Sequence, residues 1–290
     1  MGIKARAVKT LKANLRRHVE ALSVDIGQRH MWKEGSLDRA AEYIESQFTA
    51  IGHKPWRQTF SAYDKPVANI IAEWPGPPGP LLVIGAHYDT VPGSPGADDN
   101  TSAVAGLLEL ARLFQETQAP RPTTFAAFVN EESPCYGSAK MGSMRHASLL
   151  KEQRTEVELM VCLEMIGYFR KDQPQEYPIP GMGLIYPKFA DFIAVTANPP
   201  SAWRAIKLTR GIRKGSDINA RLLVAPEQIG GINRSDNYSY WKHGYRAVMV
   251  TDTANFRNRN YHQETDTIDT LDFDSMAEVV TGLHAALSRF

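Results

Sequence analysis

Four short apolar runs in this chain each meet ionisable residues at or near their carboxyl ends, and this pattern narrows the possible folds more than any other feature. Leu81–Ala86 runs into His87-Tyr88-Asp89, and Thr123–Val129 runs into Asn130-Glu131-Glu132. Val157–Ile166 carries Glu164 inside an otherwise apolar run, and Ala247–Thr251 ends at Asp252, with His262 ten residues on. Short runs rich in Val, Ile, Leu and Ala read as strands buried on both faces.

Helical patterns alternate with these strands. Thr101 is placed to cap a helix carrying Val104, Leu107, Leu108 and Ala111, and Met141–Lys151 reads as helix. Upstream, Val8, Leu11, Leu15, Val19 and Leu22 recur at helical spacing. Ser36 is placed to cap a second helix, with stripe Leu37, Ala40, Ala41, Ile44, Phe48 and Ile51, that stops at Gly52. Trp56–Tyr63, Val67–Trp74 and Leu222–Ala225 add strands, and Pro75–Pro80 breaks the chain. Arg170–Pro187 reads as a long loop, followed by a short helix after Pro187. Asp236–His243 and the stripe Phe273, Met276, Val280, Leu283 and Leu287 complete the helices. The alternation predicts an α/β fold: a single domain over 1–290, with a mostly parallel mixed sheet covered by helices on both faces. The N-terminal 1–30 amphipathic helix is expected to pack on that domain. In such a sheet, ligands bind beyond the carboxyl ends of the strands, where the polar residues collect.

Composition excludes several classes. The 33 basic and 32 acidic residues leave a net charge of +1, without the basic excess of a nucleic-acid-binding surface. No apolar stretch approaches the ~20 residues that span a bilayer. Met1–Leu22 lacks the apolar core of a signal peptide, and Arg6 stands where a myristoylation signal has Ser or Thr. The expected location is cytoplasmic for the chain as it stands, and exported if a leader was trimmed. Two cysteines, Cys135 and Cys162, form no disulfide framework and are expected as buried thiols. Oligomeric state is left open.

Each ionisable cluster has a plain reading: Glu131-Glu132 as a solvated turn, Asp98-Asp99 as charges at a helix N-terminus. Glu164 resists that reading. A carboxylate flanked by Leu163, Met165 and Ile166 is partly buried, which is costly unless it is paired or metal-bound. Carboxylates converging on one edge repel one another and need a cation. Two histidines with three or more carboxylates form a hard N/O ligand set suited to zinc, manganese or cobalt. No HExxH, P-loop, GxSxG or GxGxxG motif occurs. Trp203, Tyr238 and Trp241 are assigned to the core rather than to a pocket.

The segments Gly85-Ala86-His87-Tyr88-Asp89-Thr90, Gly96-Ala97-Asp98-Asp99-Asn100, Asn130-Glu131-Glu132, Leu163-Glu164-Met165-Ile166-Gly167-Tyr168 and Tyr261-His262-Gln263-Glu264-Thr265-Asp266-Thr267 stand in order and at familiar spacing. Together, over about Val67 to Phe290, the chain resembles the M28 family, which contains zinc aminopeptidases of the bacterial leucyl type and, as a side branch, glutaminyl cyclases. The resemblance implies a zinc-exopeptidase-like sandwich fold and two divalent metal ions, zinc first. One ion would be held by His87 and Glu164, the other by Glu132 and His262, with Asp99 bridging both. It makes Glu131 the general base, Asp89 the acid that orients His87, and Tyr261 a donor to the developing oxyanion. The implied substrate is a peptide or small aminoacyl compound with a free N-terminus.

Two positions depart from the family pattern. Glu164 stands where most relatives have Asp, and Ser235-Asp236-Asn237 where many have Ser-Asp-His, which leaves Asp236 a candidate for pocket structure only. Three alternatives are weighed: a single-zinc glutaminyl-cyclase-like transferase, an M20-type peptidase, and a non-catalytic module of the same fold. Cyclases often carry Trp where this chain has Tyr261, M20 enzymes insert a lid domain that Gly167–Tyr261 is too short to hold, and non-catalytic modules lose ligands that are retained here.

Overall fold

A computed structural model of the chain describes residues 2–290. Met1, the first residue of the expected N-terminal unit, lies outside the described residues. Helix α1 (Gly2–Val19) runs into a π-helical turn, Glu20–Ile26, and is followed by α2 (Ser36–Ala50). Strands β1 (Trp56–Ala62), β2 (Lys65–Trp74) and β3 (Leu81–His87) precede α3 (Ala103–Thr117), β4 (Thr123–Phe128), α4 (Gly142–Glu152) and β5 (Val157–Glu164). Next come β6 (Arg170–Pro174), β7 (Phe189–Ala190), β8 (Ile193–Ala197), α5 (Ala202–Gly215), β9 (Ala220–Val224), α6 (Asn237–Lys242), β10 (Ala247–Thr251) and α7 (Phe273–Leu287). Among the described residues no helix is long and apolar enough to cross a membrane.

Eight strands form one sheet in the order β1-β2-β4-β3-β5-β10-β8-β9, and β6 pairs separately with β7. The pairs β3–β4, β3–β5, β5–β10 and β8–β9 are parallel, while β1–β2, β2–β4 and β8–β10 are antiparallel. The sheet is therefore mixed and mostly parallel, as the alternation predicts. Side chains alternate across its central strands. In β5, Leu159, Val161 and Leu163 enter the larger core under α1, α2, α3, α5 and α7. Met160 and Cys162 enter the smaller core beneath α4 and α6.

The connection through α3 carries the chain from β3 to β4 on one side, and the connection through α4 returns it to β5 on the other. The two helices lie on opposite faces, so the ends of β3, β4 and β5 splay around a crevice. Such a reversal of strand order is where open α/β sheets bind ligands.

Local expectations fail in five places. The short helix expected after Pro187 is strand β8, followed by the fourteen-residue helix α5. Ile193–Ala197 is buried on both faces, and a continuous apolar run of that length has no periodicity to separate strand from helix. The expected loop Arg170–Pro187 contains β6. Neither Ser36 nor Thr101 caps its helix: Ser36 Oγ donates to the Lys33 carbonyl at 2.8 Å, and Thr101 Oγ1 to the Gly96 carbonyl at 2.6 Å. Of the three aromatics assigned to the core, Trp241 is buried and Tyr238 half-buried, but Trp203 is 68% exposed at the start of α5. Cys135 and Cys162 are both free and buried, as expected.

Candidate metal centre

The sheet brings together residues far apart in sequence. His87 closes β3, Glu131 and Glu132 follow β4, Glu164 closes β5, Asp99 lies in the turn before α3, and His262 lies in the segment after β10. His87 Nε2 stands 3.3 Å from Glu164 Oε2 and 3.4 Å from Asp99 Oδ1. His262 Nε2 stands 3.2 Å from Glu132 Oε1 and 3.2 Å from Asp99 Oδ2. Asp99 thus turns one oxygen to each histidine. The ligand atoms of His87, Asp99 and Glu164, and those of Asp99, Glu132 and His262, lie within 4.8 Å of one another. All five expected ligands are assembled, with Glu131 Oε2 3.9 Å from His87 Nε2.

These side chains fit a metal centre. His87 Nε2, His262 Nε2 and Asp99 Oδ1 are buried and have no hydrogen-bond partner among the described residues. Unpaired buried polar atoms are costly, so a set of them converging on one point calls for a shared partner. Tetrahedral bonds of about 2.0–2.1 Å place ligand atoms roughly 3.3–3.4 Å apart, close to the spacings seen. Imidazole nitrogens and carboxylate oxygens are also a donor set that zinc accepts.

The electrostatics express the same need. Burial disfavours a charged His87, but Glu164 and Glu131 outweigh it and raise the imidazole well above its usual range. Burial likewise opposes charge on His262, but the adjacent Asp99 and Glu132 carboxylates raise it to about 10. Desolvation pushes Glu131 well up, and pushes Glu132 up to about 7. Without a cation the cluster recruits protons instead, since like charges packed this closely are unstable.

Backbone N–H groups set the carboxylates in place. Asp89 was expected to hold His87 through its carboxylate, but its main-chain carbonyl is the atom 3.1 Å from His87 Nδ1, and its Oδ1 lies 3.7 Å away. The carboxylate is already engaged, accepting from the Glu131 and Glu132 amides at 3.0 and 3.1 Å. Asp89 therefore fixes His87 and the Glu131-Glu132 turn with different atoms. Asp266 does the same for the neighbouring loop, accepting from the Asp98 and Asp99 amides at 3.0 Å each. Asn100 donates to the Leu163 carbonyl and to Glu164 Oε2, and accepts from the Met165 amide at 2.8 Å. Ser235 Oγ donates to Glu164 Oε2 at 2.7 Å, so the Ser235-Asp236-Asn237 segment reaches the ligand through its serine. Asp236 is fully buried, with neither oxygen hydrogen-bonded among the described residues, and burial pushes it to about 7.

Sequence reasoning passed over Arg29. It is fully buried, and its guanidinium makes six hydrogen bonds, to the carbonyls of Leu22, Gly27, Tyr88, Pro95 and Gly96 and to Thr101 Oγ1. It ties the N-terminal segment to the loops that carry His87 and Asp99. Burial lowers it to about 10, against the attraction of Asp266, Asp89 and Asp99, so it stays charged at neutral pH. Nothing in its local sequence distinguishes it from neighbouring basic residues.

Tyr261 stacks on the His262 ring, centroids 3.8 Å apart, and shares with Glu164 the wall of an apolar cavity that opens to solvent. Burial, reinforced by the nearby carboxylates, raises its phenol far above the usual range and keeps it a proton donor. Tyr177, Met182, Tyr186, Phe192 and Phe256 line the cavity.

Comparison with known proteins gives the arrangement a context. Residues 69–287 match the model of peptidase family M28. An uncharacterized protein, YfbL, of Escherichia coli (strain K12) is 37% identical over 278 residues, which are 93% of this chain and 85% of that one. Leucine aminopeptidase 1 of Emericella nidulans is 27% identical over 227 residues, 72% of this chain but 52% of the relative, so the match spans about half of that protein. Among solved structures, BSAP, a zinc aminopeptidase from Bacillus subtilis, superposes with a TM-score of 0.76 at 15% identity, covering 96% of this chain and 94% of that one. At that identity the likeness establishes a shared fold.

Proposed function

The chain belongs to peptidase family M28, and from that premise we propose that it is a zinc-dependent aminopeptidase holding two metal ions. The observation that carries this reading is the pair of imidazoles, His87 and His262, each with an unpartnered nitrogen 3.2–3.4 Å from two carboxylates and sharing Asp99 between them. His87, Glu164 and Asp99 would hold one ion, and Glu132, His262 and Asp99 the other. Two such ions supply Lewis-acid polarisation of the scissile carbonyl and activation of a water.

The remaining work falls to the chain's own groups. Glu131 is adjacent to a ligand without being consumed as one, and its carboxylate takes the proton of the attacking water and passes it to the leaving amine. Tyr261 donates its phenol to the oxygen on which charge develops. Asp89 holds His87 and Glu131 in one frame. The apolar cavity beside Glu164 and Tyr261 receives the N-terminal side chain and excludes water from it. A free substrate amine is drawn to the carboxylate-rich edge, which favours cutting from the end of a chain over cutting within it.

The test combines metal analysis of purified protein with hydrolysis of a panel of aminoacyl amides and their N-acetylated forms. About two zinc ions per chain, and cleavage of free but not acetylated amides, are expected. A protein that cannot hold a second ion in excess zinc overturns the two-metal mechanism. Equal cleavage of acetylated substrates overturns the exopeptidase assignment.

A further inference from the structure

The segment that Arg29 anchors does more than brace the metal-bearing loops. Three residues on, Trp32 is 51% exposed and lines, with Glu132, Asp89 and Pro134, a shallow cleft at the surface. A large aromatic left half in water beside a ligand carboxylate is an unusual use of a tryptophan, whose burial is strongly favourable. Its surroundings are ordered toward it. Tyr63, 41% exposed in the turn between β1 and β2, lies 5.7 Å from it between ring centroids. Lys65 Nζ stands 5.7 Å from the Trp32 ring, and Lys140 Nζ 4.5 Å from that of Tyr63. Two cations thus border an aromatic platform, one on each ring. The platform is continuous with the metal centre through Glu132, while the apolar cavity meets the centre through Glu164 and Tyr261.

Taking the aminopeptidase reading as its basis, we propose that the Trp32–Tyr63 platform, with Lys65 and Lys140, binds the residues of the substrate that follow the cut bond, favouring short peptides with an apolar second residue and a free C-terminal carboxylate. The apolar cavity takes what lies before the bond, so the occupant of a separate surface that reaches the centre at Glu132 is what lies after it. Aromatic faces suit an apolar side chain, and the lysines suit a carboxylate.

The experiment compares leucyl amide, which has nothing after the cut bond but the amide, with the tripeptide Leu-Phe-Ala as free acid and as C-terminal amide. Trp32→Ala should raise KM for the tripeptide about tenfold while leaving leucyl amide within about twofold and metal content unchanged, and Trp32→Phe should recover most of the loss. Lys140→Met should remove the preference for the free acid over the amidated tripeptide. This second arm reads the platform even if Trp32→Ala folds poorly. Parallel losses on leucyl amide and tripeptide, or no loss on either, overturn the proposal and leave the aminopeptidase reading standing. A wild-type protein that cleaves neither substrate overturns that reading and the platform's role together.

Discussion

The edge that carries the proposed ligands and the wall of the apolar cavity meet at Glu164 and Tyr261, yet they are built in opposite ways. On the ligand edge, Asp89 and Asp266 each accept two backbone amides, and Asn100 and Ser235 fix Glu164 from two sides. In the cavity wall between β6 and β7 each aromatic hydroxyl makes a single bond: Tyr177 donates to the Pro187 carbonyl at 2.6 Å and Tyr186 to that of Leu222 at 3.1 Å. A site for chemistry must hold its atoms within fractions of an ångström, which takes several bonds per side chain. A wall for side-chain recognition needs shape and apolarity, which loops supply and can vary. Substitutions on the two sides should therefore differ in kind.

The largest effect is expected on the ligand edge. Glu131→Gln should lower turnover by about 10²–10⁴-fold while retaining metal, because in the proposed mechanism it removes the base and not a ligand. Turnover within a few-fold of wild type, measured on an aminoacyl amide, would show that the proton passes elsewhere. Next is Arg29→Met, which leaves six hydrogen-bonding partnerships of a buried cation unmade. A loss of roughly 3–5 kcal/mol in denaturant unfolding is expected, together with weaker zinc binding. Lost stability with zinc affinity intact would break the idea that the ligand loops depend on this tie.

Tyr261→Phe lies where the two regions meet. It keeps the stacking on His262 and removes only the hydroxyl, so kcat should fall by ~10- to 1,000-fold with little change in KM. An unchanged kcat would move Tyr261 to the wall. The smallest effect belongs to the wall itself. Phe256→Ala should reduce kcat/KM about tenfold for large apolar N-terminal residues and leave alanyl substrates nearly untouched. A uniform drop across side chains would mean that the wall, like the edge, serves the chemistry.

The legibility of the sequence follows the same division. The strands under the ligands could be read because each is a short, almost wholly apolar run that ends in a histidine or acid, a contrast that survives without tertiary information. Glu164 stood out because a carboxylate inside such a run has few explanations. Strand β8 was misread because a short buried apolar run has no period. Trp203 was misplaced because an aromatic on a helix carries no mark of the face it takes. Thr101 looked like a cap by type and position, but its hydroxyl is bonded to Gly96 and Arg29 instead.

By itself the sequence determined the strands β3, β4, β5 and β10 around the site, that their carboxyl ends carry the acids and histidines, and that those residues need a cation. Hydrophobic runs and uncompensated buried charge are local properties, and they can be read locally. Only the tertiary structure decided that Asp99 turns one oxygen to His87 and the other to His262, and that Asp89 holds the first histidine by its carbonyl and the glutamates by its carboxylate. It also made Arg29, nearly sixty residues from His87, part of the same frame. Those facts depend on which backbone groups face one another across the crevice. The strand order and its reversal around β3 set that arrangement, and no single segment of the chain encodes it.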